Sequence, residues 1–95
     1  MELNPIIHQQ VRLRIMAALS ALSEGDVVDF AFLKKQLELT DGNLGAHLLK
    51  LENAGYINVD KLFVGRKPRT DLSLTLKGKA AFEEHMAALR EIIGE

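Results

Sequence analysis

The chain has 95 residues, 47% of them hydrophobic and 26% charged, with no cysteine and a formal net charge of −1. This length predicts a single domain over residues 1–95 around one small core, and the lack of cysteine excludes disulfides, thiolate nucleophiles and zinc-finger cores. No run approaches the roughly 20 apolar residues of a membrane span, and the first residues lack the features of a secretory leader, so we expect a soluble, cytoplasmic protein with no membrane partner.

The first predicted helix begins at Asn4 and Pro5, because Asn caps helices and Pro suits the first helical position. Gly25 and Asp26 end it. Further apolar residues beside the main row predict that this helix is covered on more than one side. The main row recurs at helical spacing and consists of Ile7, Val11, Ile15, Leu19 and Leu22.

A second helix follows after a short connection. Val27 and Val28 predict a stub of strand, and Asp29 can cap a helix that runs to about Glu38. The inner side of this helix is predicted to hold Phe30, Leu33 and Leu37.

A tight turn over residues 39–41 leads into the third helix, for which Thr40 is the predicted cap. The helix runs to about Asn53, and Gly55 fits the left-handed position that closes a helix. A rotation of about 100° per residue places three leucines together on its inner side. They are Leu44, Leu48 and Leu51.

The next segment predicts a β-hairpin. Residues 56–63 contain enough β-forming side chains for a strand, and residues 64–69 form a turn that contains glycine and proline. Leucines alternate with polar residues over positions 72–76, which predicts a second strand that pairs with the first.

The last helix is predicted to begin after Thr75, which is a good capping residue. The predicted fold is therefore mainly α with a small β-hairpin, in the order helix, strand, helix, helix, strand, strand, helix. Apolar positions in the last helix step by four, three and four residues, which predicts one row of Phe82, Met86, Leu89 and Ile93 along the helix. A second row beside it consists of Ala81, His85, Ala88 and Ile92.

Two short helices joined by a tight turn and followed by a hairpin with a basic tip are the arrangement of a winged helix-turn-helix. Residues 39–57, LTDGNLGAHLLKLENAGYI, resemble the recognition helix of winged-helix transcriptional regulators of the MarR and ArsR type. Residues 63–70, FVGRKPRT, resemble their wing, and residues 74–82, LTLKGKAAF, resemble the start of their final helix. The matches follow the right order from about Val27 to Phe82, and the resemblance implies a dimeric DNA-binding regulator.

The outer side of the third helix is the predicted DNA-reading surface. Asn43 can bond a base or a phosphate, Ala46 can touch a thymine methyl group, and Lys50 can neutralise a phosphate. His47 is either a packing residue with one polar contact or a reader of bases. The full set of candidate DNA-binding residues in and before this helix is Thr40, Gly42, Asn43, Ala46, His47 and Lys50.

Two positions of this helix depart from the pattern of the regulators that it resembles. Gly45 stands where they often carry a serine, and Leu49 stands where they often carry a basic or polar residue. An outward leucine is unusual on a solvated helix face. Leu49 either rests on a thymine methyl group or is covered by another surface, and the sequence leaves both open.

Basic residues are concentrated around the predicted wing, although the whole chain is almost neutral. Arg66, Lys67 and Arg69 are candidate ligands of phosphates or of the minor groove, because a basic loop beside a major-groove helix can reach both. The alternative is an ordinary solvated turn. Lys34 and Lys35 on the second helix fit a phosphate contact and a solvated face equally well.

The first and last helices carry more apolar surface than a small monomer can hide, which predicts a homodimer. Alternatively, the same side chains close the core of a monomer. A two-fold dimer presents its recognition helices to major-groove segments roughly 34 Å apart and prefers a pseudo-palindromic site. The candidate interface residues are Ile6, Ile7, Val11, Met86, Leu89, Ile92 and Ile93.

Neither catalysis nor a cofactor is predicted. The histidines at 8, 47 and 85 lack metal-ligand spacing, and the acidic residues between 24 and 29 lack a nucleophile and are explained as caps and turn residues. We therefore predict a homodimeric, sequence-specific regulator that binds double-stranded DNA and represses by occupying a promoter, with any effector left open. The alternative is a winged-helix module that docks another protein without binding DNA.

Overall fold

Seven elements follow one another along residues 2–94, the part of the chain that this computed structural model describes. The strands form an antiparallel sheet in the order β1-β3-β2. The predicted winged helix-turn-helix order of elements is confirmed. The elements are α1 (Gln10–Ser20), β1 (Val28–Asp29), α2 (Phe30–Leu37), α3 (Asp41–Asn53), β2 (Ile57–Val64), β3 (Lys67–Leu74) and α4 (Leu76–Ile93).

Three predicted capping residues begin their helices as expected. Asp29, Thr40 and Thr75 have extended backbones, and each side chain accepts a hydrogen bond from the backbone N–H three residues later. These bonds satisfy N–H groups that have no partner inside the helix, so α2, α3 and α4 begin where the caps predict. The donor–acceptor distances are 2.7 Å from Phe32, 3.1 Å from Asn43 and 2.9 Å from Gly78.

The predicted start of the first helix is wrong. Asn4 does act as a cap, since its Oδ1 accepts hydrogen bonds from the N–H groups of Ile6 and Ile7 at 2.9 and 3.2 Å. It caps only a turn over residues 5–7, which we name the N-terminal turn. Gln9 has an extended backbone with φ −148° and separates this turn from α1. The side chain of Gln9 caps α1 by accepting a hydrogen bond from the N–H of Arg12.

Tertiary contacts explain why the chain turns after Asn4. The backbone N–H of Asn4 donates to Nδ1 of His85 in α4 at 2.9 Å, and its side-chain Nδ2 donates to the hydroxyl of Tyr56 at 2.8 Å. The bonded residues are 81 and 52 positions apart in the chain. The N-terminal turn is therefore held against α4 and the start of the hairpin by contacts that no local pattern reveals.

The hairpin turn is shorter than predicted. β2 and β3 pair as far as Val64 and Lys67, so only Gly65 and Arg66 form the loop. Gly65 has φ +64°, which a two-residue hairpin turn requires and which glycine adopts without steric strain. The prediction of a turn over residues 64–69 is therefore wrong. We name the hairpin of β2, β3 and this loop the wing.

The proline that predicted a turn lies within a strand. β1 pairs with β3 only at Asp71 and Leu72, so the outer edge of β3 is free at Pro68. A proline lacks an N–H group and fits a sheet only where no neighbour needs that donor. The second strand therefore begins at Lys67, and the outer part of the wing is a ribbon of two strands.

One core cluster joins α1, α2, α3 and the sheet. The three inner leucines of α3 are buried as predicted, and Leu33 and Leu37 of α2 pack with them, whereas Phe30 is only half-buried. Ile7 is also fully buried, so this member of the predicted dimer surface has no area left for a partner. The largest fully buried side chains are Ile7, Ile15, Met16, Leu33, Leu44, Leu51, Leu72 and His85.

Of the two predicted rows of α4, the second contains the buried residues His85 and Ala88. Phe82, Met86 and Leu89 of the first row are half-buried, and Ile93 is 66% exposed. The helix packs instead through a side with small residues, which allow its axis to approach the rest of the domain closely. The buried residues of α4 are Gly78, His85 and Ala88.

Within residues 2–94, the buried His85 has one hydrogen bond, which its ring accepts from the backbone N–H of Asn4. Because Nδ1 accepts this bond, the neutral ring carries its proton on Nε2, which has no hydrogen-bond partner among the described residues. Burial lowers the pKa of His85 below its ordinary value of 6.5, and the nearby His8, with ring centroids 5.3 Å apart, lowers it further.

Acidification is expected to destabilise the fold through His85. The unfolded chain takes up a proton near pH 6.5, whereas the folded His85 stays neutral to a lower pH. Neutral His85 therefore does not reduce the free energy of unfolding above about pH 6.5. The free energy of unfolding decreases as the pH falls from there towards the folded pKa. Urea unfolding between about pH 5 and 7.5 should show a steeper acid loss for the wild type than for His85→Leu. Parallel curves for the two proteins contradict this expectation.

Candidate nucleic-acid interface

The outer side of α3 is open to solvent. Gly42, Asn43, Ala46 and Lys50 are exposed, and Leu49 is 55% exposed, so Leu49 points outward as the periodicity predicts. The inner leucines of the same helix fill the core. This outer side has the dimensions and the freedom to lie in the major groove of DNA, which admits one α-helix.

Polar contacts fix the first turn of α3. The hydroxyl oxygen of Thr40 accepts from the N–H of Asn43, and Nζ of Lys34 in α2 lies 2.8 Å from Oδ1 of Asp41. Lys34 is therefore an ion-pair partner that joins α2 to α3, whereas Lys35 is exposed. Among the candidate DNA-binding residues, Thr40 therefore has a structural role as the cap that positions α3.

His47 is half-buried and makes one polar contact. Its Nδ1 lies 3.2 Å from Nη1 of Arg12 in α1, and Nε of Arg12 donates to the carbonyl oxygen of Ile6. Burial lowers the pKa of His47 below 6.5, and the positive charges of Arg12 and Lys50 lower it further. The ring is therefore neutral near pH 7, and Nδ1 accepts from the guanidinium of Arg12.

Arg12 is a residue of this surface that the sequence analysis misses. It connects α3 to α1 and to the N-terminal turn through His47 and Ile6. The helical pattern around Arg12 gives no sign of this role. His47 is 35 positions away in the chain, and Ile6 lies in the N-terminal turn, outside α1. Arg12 therefore orients the side of α3 that carries His47.

The cations of the wing differ in their surroundings. Arg66 and Lys67 are exposed at its tip. Arg69 forms an ion pair with Asp71, with Nη2 donating to Oδ2 at 3.0 Å and Nε lying 2.8 Å from Oδ1. Oδ1 makes this charge contact without a directed hydrogen bond. Asp71 is mostly buried, so Arg69 offers less unneutralised charge to a ligand than Arg66 or Lys67 does.

A groove lies between α3 and the wing. One wall comes from α3, through Gly45, Leu49 and Glu52, and the other comes from the two strands, through Lys61 and Thr70. Leu49 of α3 and Lys61 of the wing therefore flank one groove. A second groove separates the start of α2 from the outer part of the wing and is lined by Lys67 and Arg69.

Residues 2–94 contain neither a cluster of metal-binding side chains nor a membrane-spanning helix. No group of three or more histidine, aspartate or glutamate side chains in this part of the chain could hold a metal ion. None of the helices described here is both long enough and apolar enough to span a lipid bilayer.

Comparison with known families matches the whole arrangement. A model of the winged helix DNA-binding domain matches residues 11–93, from α1 to the end of α4. The chain belongs to this family. The winged helix comprises the exposed α3, the wing and the two outer helices, so each element described above has its place in the family fold.

Two relatives cover nearly the whole winged helix. An uncharacterized protein of Methanocaldococcus jannaschii is 34% identical over 87 residues, which are 92% of this chain and 91% of that protein. The structure of a transcriptional regulator homologue from Pyrococcus horikoshii OT3 superposes with a TM-score of 0.84 at 31% identity, covering 94% of this chain and 85% of that one.

A more distant structure shares the fold. FabT of Streptococcus pneumoniae, solved in complex with DNA, has a TM-score of 0.60 and 21% identity, and the match covers 94% of this chain and 64% of that one. At this level of identity the match concerns the fold alone.

Proposed function

We propose that this winged helix is a sequence-specific transcriptional regulator that binds DNA as a homodimer and represses by occupying a promoter. The observation that carries the proposal is the exposed outer side of α3, from which a groove separates Lys61 and Thr70 of the wing. A helix fits the major groove, and basic residues beside it reach phosphates and the adjacent minor groove.

The exposed side chains have separate parts in the proposed complex. Asn43 bonds a base edge or a phosphate near the start of α3, and Lys50 neutralises a phosphate farther along the helix. Arg66 and Lys67 contact phosphates or the minor groove from the tip of the wing. Arg69, held by its ion pair, orients the strand that carries Lys67.

Exposed apolar surface on α4 supports the homodimer. Ile92 and Ile93 are 65% and 66% exposed, and Met86 and Leu89 are half-buried on the preceding turns. Burying apolar area against a second copy is favourable by roughly 25 cal/mol per Å², and pairing in a closed two-fold dimer is the commonest way for a soluble protein to bury it.

The N-terminal region supplies the rest of the proposed contact. Ile6 and Val11 are half-buried and lie beside the core, whereas Ile7 belongs to the core and is not included. A two-fold axis between such surfaces would present two copies of α3 to major-groove segments roughly 34 Å apart. The preferred site is then a pseudo-palindrome.

Two of the comparisons add support. FabT, which has the same fold, was solved in complex with DNA, and the Pyrococcus horikoshii protein is named a transcriptional regulator homologue. The match covers 85% of the Pyrococcus horikoshii chain. The winged helix therefore makes up most of that protein, as it does of this chain.

Selection of bound fragments from the source genome tests the proposal, with the mass of the complex measured by light scattering. We expect fragments that share a pseudo-palindrome with half-sites about 10 base pairs apart, bound by two chains. A transcription assay on such a promoter should show reduced initiation. Retention of no fragment above background contradicts DNA binding, and a single half-site bound by one chain contradicts the dimer.

The affinity for DNA is expected to fall steeply with salt. Lys50, Arg66 and Lys67 give three phosphate contacts per subunit and six per dimer in the proposed complex. Six contacts correspond to a loss of about a thousandfold between 50 and 200 mM salt, because neutralised phosphates release counterions. Fluorescence anisotropy titrations at three or four salt concentrations measure this slope. An affinity that does not change over the range contradicts recognition through phosphates.

A further inference from the structure

One line of residues along the exposed face of α3 has no side chain that can form a hydrogen bond. Gly42, Ala46 and Leu49 lie along one line of the helix surface and are all exposed. We name these three residues the apolar strip. Asn43 and Lys50 lie beside the strip, and Asn53 continues its line at the end of α3. Direct hydrogen bonds to bases can therefore come from these flanking residues and not from the strip itself.

Structural contacts fix the orientation of two other candidate readers. Nδ1 of His47 lies 3.2 Å from the guanidinium of Arg12, which leaves Nε2 of the ring for a base, and the hydroxyl oxygen of Thr40 accepts from the N–H of Asn43. Discrimination between bases opposite the middle of α3 therefore depends on shape and apolar contact more than on hydrogen bonds.

The apolar strip leaves room for close approach. A Cβ atom built at Gly42 or at the neighbouring Gly45 would meet nothing within 4 Å. The side chain of Leu49 stands beside Gly45 at the edge of the groove, where it is 55% exposed and is the largest apolar group of the strip. A flat partner could therefore approach the helix backbone while Leu49 projects towards it.

The charges around the strip favour DNA as its occupant over an apolar protein surface. Lys50 follows Leu49 on the helix, Lys61 lies on the opposite wall of the groove, and Arg66 and Lys67 stand at the tip of the wing. Glu52, the acidic residue that lines the groove, offsets one of these four charges. A polyanion satisfies these cations, and the strip is continuous with the surface proposed above for DNA. An apolar protein would leave the cations unpaired.

We propose that Leu49, with Ala46, recognises the C5-methyl group of thymine, so that the preferred DNA site carries thymine opposite the middle of α3. This inference rests on the proposed function, since it concerns the same surface. Among the four bases only thymine presents a methyl group in the major groove, and contact with that methyl distinguishes T·A from the other pairs without any hydrogen bond. Leu49 is thereby a specificity-determining residue, and Lys50 and the wing supply affinity that does not depend on sequence.

Replacing thymine by deoxyuridine tests the proposal, because it removes the methyl group and leaves base pairing intact. Single replacements along the best genomic duplex are titrated by fluorescence anisotropy against three proteins: the wild type, Leu49→Ala and Val27→Ala. Val27 is a matched control, since it is an exposed aliphatic residue on the loop before β1. For the wild type we expect a loss of about fourfold at one or two positions in each half-site, the value of one buried methyl group.

Comparison of the two variants shows whether Leu49 causes the sensitivity to deoxyuridine. Leu49→Ala should bind the methylated duplex more weakly and lose its sensitivity to deoxyuridine at those positions, whereas Val27→Ala should keep the wild-type pattern. Leu49→Ala alters an exposed side chain, and its far-ultraviolet circular dichroism should match that of the wild type.

The possible failures are distinguishable. Salt-dependent binding with equal affinity for every deoxyuridine duplex overturns this inference and leaves DNA binding intact. Weaker binding by Leu49→Ala without any deoxyuridine effect assigns Leu49 to the sugar backbone and overturns methyl recognition. Deoxyuridine sensitivity that persists in Leu49→Ala overturns the assignment to Leu49. Failure to bind any duplex overturns the proposed function as well.

Discussion

The double variant Arg66→Glu, Lys67→Glu is expected to lose DNA affinity on the order of a thousandfold. A unit charge about 4 Å from a phosphate in water contributes roughly 1 kcal/mol, and reversal turns this attraction into repulsion. A dimer carries four such reversals, which amount to about 8 kcal/mol without salt; screening at physiological ionic strength reduces this to roughly 4 kcal/mol, which is about a thousandfold. Because both residues are exposed at the wing tip and lie outside the core, the fold should be retained. Anisotropy titrations at fixed salt measure the affinity, and circular dichroism checks the fold.

The same charge change elsewhere serves as the control. Lys79→Glu alters an exposed cation on α4, outside α3 and the wing, and should change affinity by only a few-fold. The wing variant should lose affinity for all duplexes alike and show a shallower salt dependence. A folded wing variant that binds DNA as the wild type does would contradict the proposed role of the wing and favour a module that docks another protein.

Gly78→Ala is expected to destabilise the protein by about 3 kcal/mol or more, a large part of the stability of a small domain. A Cβ atom at this position would lie 1.9 Å from the carbonyl oxygen of Tyr56 and 2.7 Å from its carbonyl carbon. These are backbone atoms, and the oxygen accepts a hydrogen bond from the N–H of Thr75, so they cannot move aside independently. Urea unfolding gives the free energy of unfolding for the variant.

Gly42→Ala is the matched control for this substitution. Gly42 also lies in a helix, near the start of α3, and a Cβ atom there would meet nothing within 4 Å. Alanine is favoured over glycine in helices by roughly 0.5–1 kcal/mol, so this variant should be slightly more stable than the wild type. Equal effects of the two substitutions would show that the close approach at Gly78 is not what limits stability.

Local sequence signals predict most of the fold. Asp29, Thr40 and Thr75 fix the starts of three helices because a cap acts within four residues of the chain, and Gly55 closes α3 with φ +80° as expected. Apolar spacing likewise predicts the inner leucines of α3. These features need no information from distant parts of the chain.

The failures all depend on distant contacts. The start of the first helix is wrong because Asn4 bonds to His85 and Tyr56, and the length of the wing is wrong because Pro68 lies where β1 no longer pairs. The close approach of Gly78 in α4 to the backbone of Tyr56 is likewise not recorded by apolar spacing. In each case the partner is far away in sequence.

Local sequence also predicts some features of the candidate site and not others. The outward position of Leu49 and the exposure of Arg66 follow from helical spacing and turn chemistry. The link between Arg12 and His47 does not, since it joins α1 to α3. The ion pair of Arg69 with Asp71 had a usable signal, because residues two apart on a strand share one face.

The two-stranded structure of the outer wing affects its local stability. Past the short pairing with β1 at Asp71 and Leu72, its strands have only each other, and an isolated two-stranded ribbon is marginally stable in water. Its amide hydrogens should therefore exchange with solvent through local opening that leaves the core closed. Contact with a rigid duplex would then restrict this segment, and the lost conformational entropy would offset part of the electrostatic attraction at Arg66 and Lys67.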